Sequence, residues 1–138
     1  MSQLRVRVEE YDFIIKTYGP NGVFDIMPYI NEFLCEVNAS KGLLVVECMG
    51  STGALLLVNP KYINEIKENE LWTLVPVNLD WQHEGNAYAH LRSTVLGTQI
   101  VLPVRNGSLA IGDNKLYFIE NQCYTFRERH IYLMYMGY

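Results

Sequence analysis

Basic residues are scarce in this chain of 138 residues. Eleven Lys and Arg stand against fifteen Asp and Glu, a net charge of −4 with pI near 5.3. No basic block occurs anywhere, so a broad interface with duplex nucleic acid, which depends on clustered cations, is not expected. An anionic small molecule remains open, because two or three donors suffice to hold one. Cysteine is scarce as well: Cys35, Cys48 and Cys123 are odd in number, far apart and never in a Cys-x-x-Cys arrangement. Reduced and mostly buried thiols are the expectation. With 5 Pro and 10 Gly the composition has neither linker-like nor collagen-like character. Long apolar runs are missing too, since Lys, Glu, Asn or Asp interrupts each one before the roughly 18 residues a membrane-spanning helix needs. The stretch from Met1 to Glu9 lacks the uninterrupted apolar core of a secretory signal. A soluble, cytoplasmic protein with no membrane partner is expected.

What the chain has is apolar and aromatic material. The apolar set makes up 49% and ten of the seventeen aromatics are Tyr, enough for one domain over residues 1–138 that needs no disulfide or metal to supply a core. Charged residues, at 19%, fall below the usual ~25%. Low charge combined with many amphipathic Tyr side chains is the composition of a surface covered by a partner.

The pattern along the chain is mostly β. Residues 4–8 alternate, and residues 11–17 carry Tyr11, Phe13, Ile14, Ile15 and Thr17, a strand composition. A turn follows at Gly19-Pro20-Asn21-Gly22. Pro28 suits a first helical position, with Ile30, Phe33, Leu34 and Val37 forming one apolar stripe. Residues 43–48 read as a strand buried on both faces, and residues 54–58 resume the apolar run after Gly50-Ser51-Thr52-Gly53. Asn59-Pro60 starts a shorter, more polar helix over 61–69. A loop spans 76–85. Asn86 is placed to cap a third helix over 87–96, closed by Gly97. Strands at 100–104, 108–111, 116–120 and 129–136 follow, with Asn106-Gly107 as a hairpin signal. The predicted class is α+β: a β-sandwich-like, mostly antiparallel architecture with about three helices.

Three places carry possible chemistry. The loop Gly50-Ser51-Thr52-Gly53 offers free N–H groups, hydroxyls and close backbone approach to a phosphate; an ordinary tight turn between strands has the same letters. The segment 81–92 is richer. Asn86 and His90 stand one turn apart near the positive end of the helix dipole, with His83 and Glu84 just before. Histidine is the side chain suited to proton transfer near neutrality, so His90, His83 and Glu84 are the catalytic candidates, and Gly50, Ser51, Thr52, Asn86 and Arg92 the phosphate-binding ones. A capped helix with one hydrogen-bonded core His would look the same. His83 and His90 supply only two ligands toward a divalent metal ion, and a hydrolytic site wants a third. The third place, Arg127-Glu128-Arg129-His130, reads as a solvated strand end or an inter-subunit salt bridge.

The order of these motifs resembles the YjbQ-like family, small cytosolic proteins linked to a secondary thiamine phosphate synthase activity. The resemblance runs from about Phe13 to Gly137. It rests on Gly42 to Val46 leading into Gly50 to Ala54, on Trp81 to Leu91, and on Leu96-Gly97 followed by Val101 to Val104 and Asn106 to Gly112. It implies a compact α+β fold assembled as a homotrimer, with ligands in a cleft where the 50–53 loop meets the start of the third helix. Ser51, Thr52, Asn86 and His90 match the family's hydroxyl loop, Asn and second His. His83 and Glu84 match a His-acid pair that some members, especially archaeal-type ones, place before Gly-Asn. Four departures stand out. Gly50 and Tyr88 replace a His, and an acid or His; the His-Asp pair upstream of Trp81 is missing; and Asp113-Asn114 replaces Trp-Gln. The implied activity joins a pyrimidine-methyl diphosphate to a thiazole phosphate with loss of diphosphate. The alternative is a non-catalytic ligand-binding or trimeric scaffold protein that kept the fold with a degenerate site.

Overall fold

A computed structural model of the chain describes residues 5–75, 87–122 and 126–138. Two antiparallel sheets face one another across the core. The elements run β1 (Arg7–Tyr18), β2 (Gly22–Asp25), α1 (Met27–Glu36), β3 (Gly42–Cys48) and β4 (Gly53–Val58). An irregular helical segment α2 (60–74), α3 (Ala87–Leu96), β5 (Gln99–Arg105), β6 (Ser108–Leu109), β7 (Lys115–Glu120) and β8 (Phe126–Gly137) complete the order. The larger sheet runs β1-β8-β3-β5-β6 and the smaller β2-β7-β4. This is the α+β class with three helices that the pattern predicts. No helix among the described residues is long and apolar enough to cross a membrane.

Period-2 alternation decides what faces the core. Phe13 and Ile15 of β1, Leu44, Val46 and Cys48 of β3, Leu102 and Val104 of β5, and Ile131, Leu133 and Tyr135 of β8 point inward. They pack against Leu55, Leu116 and Phe118 of the smaller sheet and against Ile30, Phe33 and Leu34 of α1. Each such burial contributes about 1.5–3 kcal/mol before entropy is counted. The stripe of α1 is the one its spacing predicts, although Val37 falls just past the helix end. The other face of the smaller sheet, Ala54, Tyr117 and Ile119, is covered by Leu71, Ile63 and Ile66 of α2 and by Leu96 of α3.

Three expectations need correction. β3 is not buried on both faces: Leu44, Val46 and Cys48 are buried, while Leu43 is 48% exposed and Val45 and Glu47 are half-buried. The dense Leu and Val run conceals this alternation, because both faces are apolar and only one meets the second sheet. The two predicted N-terminal strand stretches form the single strand β1, since β8 pairs with it without a break from Arg7 to Tyr18. The second helix extends to Leu74, passing through 3-10, α and π turns. Asn59 caps it as expected, accepting from the Lys61 N–H at 3.0 Å.

Candidate functional site

The end of β3, the start of β4 and the C-terminal half of α3 are tied into one corner. Cys48 N donates to the Thr98 carbonyl at 2.9 Å, Met49 N to His130 O at 3.1 Å, and Leu55 N to Gly97 O at 2.9 Å. These bonds bring the 49–52 connection alongside α3. Between them lies a cleft of about 260 Å³ lined by Gly50, Ser51, His90, Ser93, Thr94, Gly97 and Thr98. His90, Ser93, Thr94 and Gly97 are spaced i, i+3, i+4 and i+7, which places them on one helical face. The described lining of the cleft runs along the body of α3 toward its C-terminus; residues 76–86, which lead into the start of the helix, lie outside the described residues.

Chemically, the described lining of the cleft is polar and holds no carboxylate, Lys or Arg. It offers hydroxyls from Ser51, Ser93, Thr94 and Thr98, one imidazole, and the glycine backbone at Gly50 and Gly97. Gly50 has φ +98°, a conformation that L side chains rarely adopt. The carbonyls at the C-terminal end of α3 work against an anion, although four carbonyls of this corner are engaged in hydrogen bonds. His90 O accepts from Thr94 Oγ1 at 2.9 Å, Ser93 O accepts from Gly97 N at 2.9 Å, and the Gly97 and Thr98 carbonyls hold β4 and β3 as above.

Of the candidates from sequence, Gly50, Ser51 and His90 come together here, from positions forty residues apart. Thr52 does not join them. It is 7% exposed, and its hydroxyl is turned inward to accept from Arg129 Nη2 at 2.6 Å. Arg92 also faces away. Two residues on from His90, it points about 200° round the helix and is fully buried. Its Nε donates to Val75 O at 2.9 Å and its Nη1 to Asn21 Oδ1, with the rings of Trp72 and Tyr88 alongside at 5.4 Å. Burial lowers its pKa to about 10, and only the neighbouring Tyr88 opposes that shift. His83, Glu84 and Asn86 lie outside the described residues. Among the described residues no group of three or more His, Cys, Asp or Glu could hold a metal ion.

Sequence reasoning missed an ion pair directly beneath the loop. Glu120, fully buried, accepts from Arg129 Nε at 2.7 Å, from Arg129 Nη2 at 2.5 Å, from Thr17 Oγ1 at 2.5 Å and from the Gln122 N–H at 3.1 Å. Arg129 is 7% exposed, so at this residue the solvated strand end is overturned, whereas Arg127 and Glu128 are exposed as expected. The signal was the alternation of β8: Ile131, Leu133 and Tyr135 point inward, and two residues earlier the same face is occupied by Arg129. His130 faces the opposite way, bonded to Asp12 and, at 3.2 Å, to the Tyr132 hydroxyl. Next to this buried pair, Cys48 has its thiol pushed up to about 11 by desolvation, with the Arg129 charge pulling the other way. It is a protonated, unreactive thiol at neutral pH, buried as expected, whereas Cys35 is exposed and departs from that expectation.

The outer face of the larger sheet is also informative. Strand register sets Val8, Met136, Leu43 and Pro103 in one row across four strands, then Glu10, Met134, Val45 and Val101, then Asp12, Tyr132, Glu47 and Gln99. Val8, Leu43, Val101 and Met136 are each 44–56% exposed, giving an apolar band bordered by carboxylates. Of the C-terminal tyrosines, Tyr132 lies on this face. Tyr135 is fully buried, its hydroxyl donating to the Tyr138 carbonyl at 2.5 Å with the Lys41 carbonyl also within reach at 3.0 Å.

Known proteins of the same build exist. A model of the family described as UPF0047 protein YjbQ-like matches residues 11–138. A UPF0047 protein of Archaeoglobus fulgidus is 33% identical over 90 residues, covering 61% of this chain and 71% of its own. The UPF0047 protein YugU of Bacillus subtilis is 28% identical over 113 residues, 77% of this chain and 84% of its own. Among solved structures, a hypothetical protein from Aeropyrum pernix K1 superposes with a TM-score of 0.82 at 30% identity, covering 94% of this chain and 99% of that one. A protein of unknown function from Sulfolobus solfataricus P2 superposes with a TM-score of 0.87 at 23% identity, over 97% and 100%. The last supports the fold alone.

Proposed function

The chain belongs to the YjbQ-like UPF0047 family, and on that premise we propose that it binds a phosphorylated small molecule in the Gly50–His90 cleft. In the manner of a secondary thiamine phosphate synthase, it would join a pyrimidine-methyl diphosphate to a thiazole phosphate in the cytoplasm. The observation that carries this reading is the meeting of Gly50 and Ser51 with His90 and the hydroxyls of Ser93 and Thr98 in one open cleft. Such a site holds phosphate oxygens by hydrogen bonds and needs no cluster of cations, in keeping with the acidic composition.

The reaction asks little of a protein nucleophile. The thiazole nitrogen attacks the methylene carbon, a C–N bond forms, and the C–O bond to diphosphate breaks with its electron pair leaving on the departing oxygen. The Ser51, Ser93 and Thr98 hydroxyls hold the phosphate oxygens, the Thr94 hydroxyl being already donated to the His90 carbonyl. His90 donates a hydrogen bond or a proton to the leaving oxygen, so that charge is met as it develops. Loss of one such donor lowers turnover by about 10²–10³-fold. The test is thiamine phosphate formation from the two precursors with wild type and His90→Ala. A drop of that size supports the reading, and equal rates sink it.

Assembly as a homotrimer belongs to the same proposal. The apolar band on the larger sheet supports it, since a second copy would cover Leu43, Val101 and Met136. Tyr88 favours a second reading, a non-catalytic ligand-binding or trimeric scaffold protein. It is 1% exposed where family members present an acid or His, and it lends the cleft no second titrating group. That reading predicts anion binding without turnover.

A further inference from the structure

Among the described residues the cleft has no Lys or Arg on its rim, yet one lies a single layer behind it. Arg129 engages Glu120 through Nε and Nη2, and its Nη2 also reaches the Thr52 hydroxyl at 2.6 Å. The remaining nitrogen, Nη1, lies beneath the other end of the loop: a Cβ built on Gly50 would stand 3.2 Å from it. The guanidinium thus spans the underside of Gly50-Ser51-Thr52, with the Glu120 carboxylate on its far side. Thr17 and the Gln122 N–H fix that carboxylate in turn. The pair is a buried, oriented dipole whose positive end is held against Thr52 and beneath Gly50, one of the two cleft-lining residues of the loop. A fork of this kind is pre-organised in a way that a lysine ammonium is not.

We propose that Arg129 is the positioning residue of the anion loop: it holds Gly50-Ser51-Thr52 in shape through Thr52 and supplies the positive potential that favours a phosphate in the cleft, with Glu120 limiting that potential. This rests on the reading of the cleft as a phosphate site. It adds what the cleft's described lining lacks, a fixed charge of the right sign in a region of low dielectric where its effect is not screened away.

The two partners are predicted to act with opposite sign, which a purely structural ion pair would not do. Inorganic pyrophosphate is titrated by calorimetry into wild type, Arg129→Gln, Arg129→Lys and Glu120→Gln, with the melting temperature of each recorded. Removing the charge in Arg129→Gln weakens binding by roughly tenfold, and Arg129→Lys recovers part of the loss. Glu120→Gln lowers the melting temperature, because it leaves a buried cation uncompensated, yet it tightens pyrophosphate binding several-fold, on the order of threefold. Equal weakening in the Gln variants of both residues would reduce the pair to a structural brace and overturn the proposal. If Glu120→Gln does not fold, the wild type decides by NMR. The Arg129 Nε–H resonance must shift with pyrophosphate at the same midpoint as the Gly50 amide, and a loop that responds while Arg129 does not overturns the inference alone. A wild type that binds no pyrophosphate overturns the cleft reading itself, and this proposal with it.

Discussion

Arg92 donates through Nε to the carbonyl oxygen of Val75 at 2.9 Å. That bond fixes the rotation of α3: with residue 92 held in the interior, residue 90 two positions earlier is turned toward the 50–52 loop. The guanidinium is an expensive anchor, because burial disfavours its charge enough to lower its pKa to about 10, and Nη2 has no hydrogen-bond partner among the described residues.

An apolar side chain of similar length should therefore keep the packing and lose only the two hydrogen bonds. Arg92→Ala is predicted to destabilise by about 3–5 kcal/mol, through cavity formation, lost packing on Trp72 and Tyr88 and the lost donor to Val75 O and Asn21 Oδ1, while Arg92→Met, which loses the donor alone, costs about 1–2 kcal/mol. Urea denaturation of both variants checks this. A Met variant as damaged as the Ala variant would mean that the charge itself stabilises the fold.

Gly97 closes α3 at φ +97°, and a Cβ there would meet nothing within 4 Å. The cost of Gly97→Ala is then purely conformational, about 1 kcal/mol. Thermal melts should show a drop of a few degrees and no more, on the order of 2–5 °C.

Cys48 sets a pH dependence with a defined sign. Its thiol stays protonated in the folded state up to about 11 but ionises from 9.0 when the chain unfolds. The folded form thus holds a proton that the unfolded form loses, and stability falls as pH rises from 9 toward 11, by at most about 1.4 kcal/mol per unit. Arg92 acts in reverse above pH 10, where the folded state is the one to release a proton. The clean window is pH 9 to 10. There, wild type should lose stability faster than Cys48→Ala in paired denaturation series, and parallel curves would contradict the assignment.

The apolar band of the larger sheet predicts assembly. Wild type should scatter light as about three times the 15.9 kDa chain mass, and Val101→Lys, which places a charge in the middle of the band, should shift it toward the monomer. A wild type at the monomer mass would refute the trimer.

Much of this was readable from residue order. The bounds of α3 and its closing Gly97, the stripe of α1 and the cap at Asn59 follow from local rules that tertiary structure left untouched. Gly50, Ser51 and His90 were identified singly from their chemistry. The strand that buries Arg129 was legible as a period-2 pattern, but a charged residue at its end reads as solvent-facing unless its partner is known. Glu120 lies nine residues earlier on a strand of the other sheet. Thr52 was assigned outward for a similar reason: hydroxyl composition says that a loop is polar, and only the position of Arg129 says which hydroxyl is already taken. Arg92 followed His90 into the candidate set by proximity in sequence, although a two-residue step crosses to the opposite side of a helix.

The central claim is that the Gly50–His90 cleft is an anion site. Its most direct test is an NMR titration of the ¹⁵N-labelled protein with inorganic pyrophosphate, run in parallel on Ser51→Ala. The account predicts saturable shifts concentrated at Gly50, Ser51, Thr94 and Thr98, with affinity reduced by roughly tenfold in the variant. Shifts scattered over the surface, or the same affinity in Ser51→Ala, would contradict it.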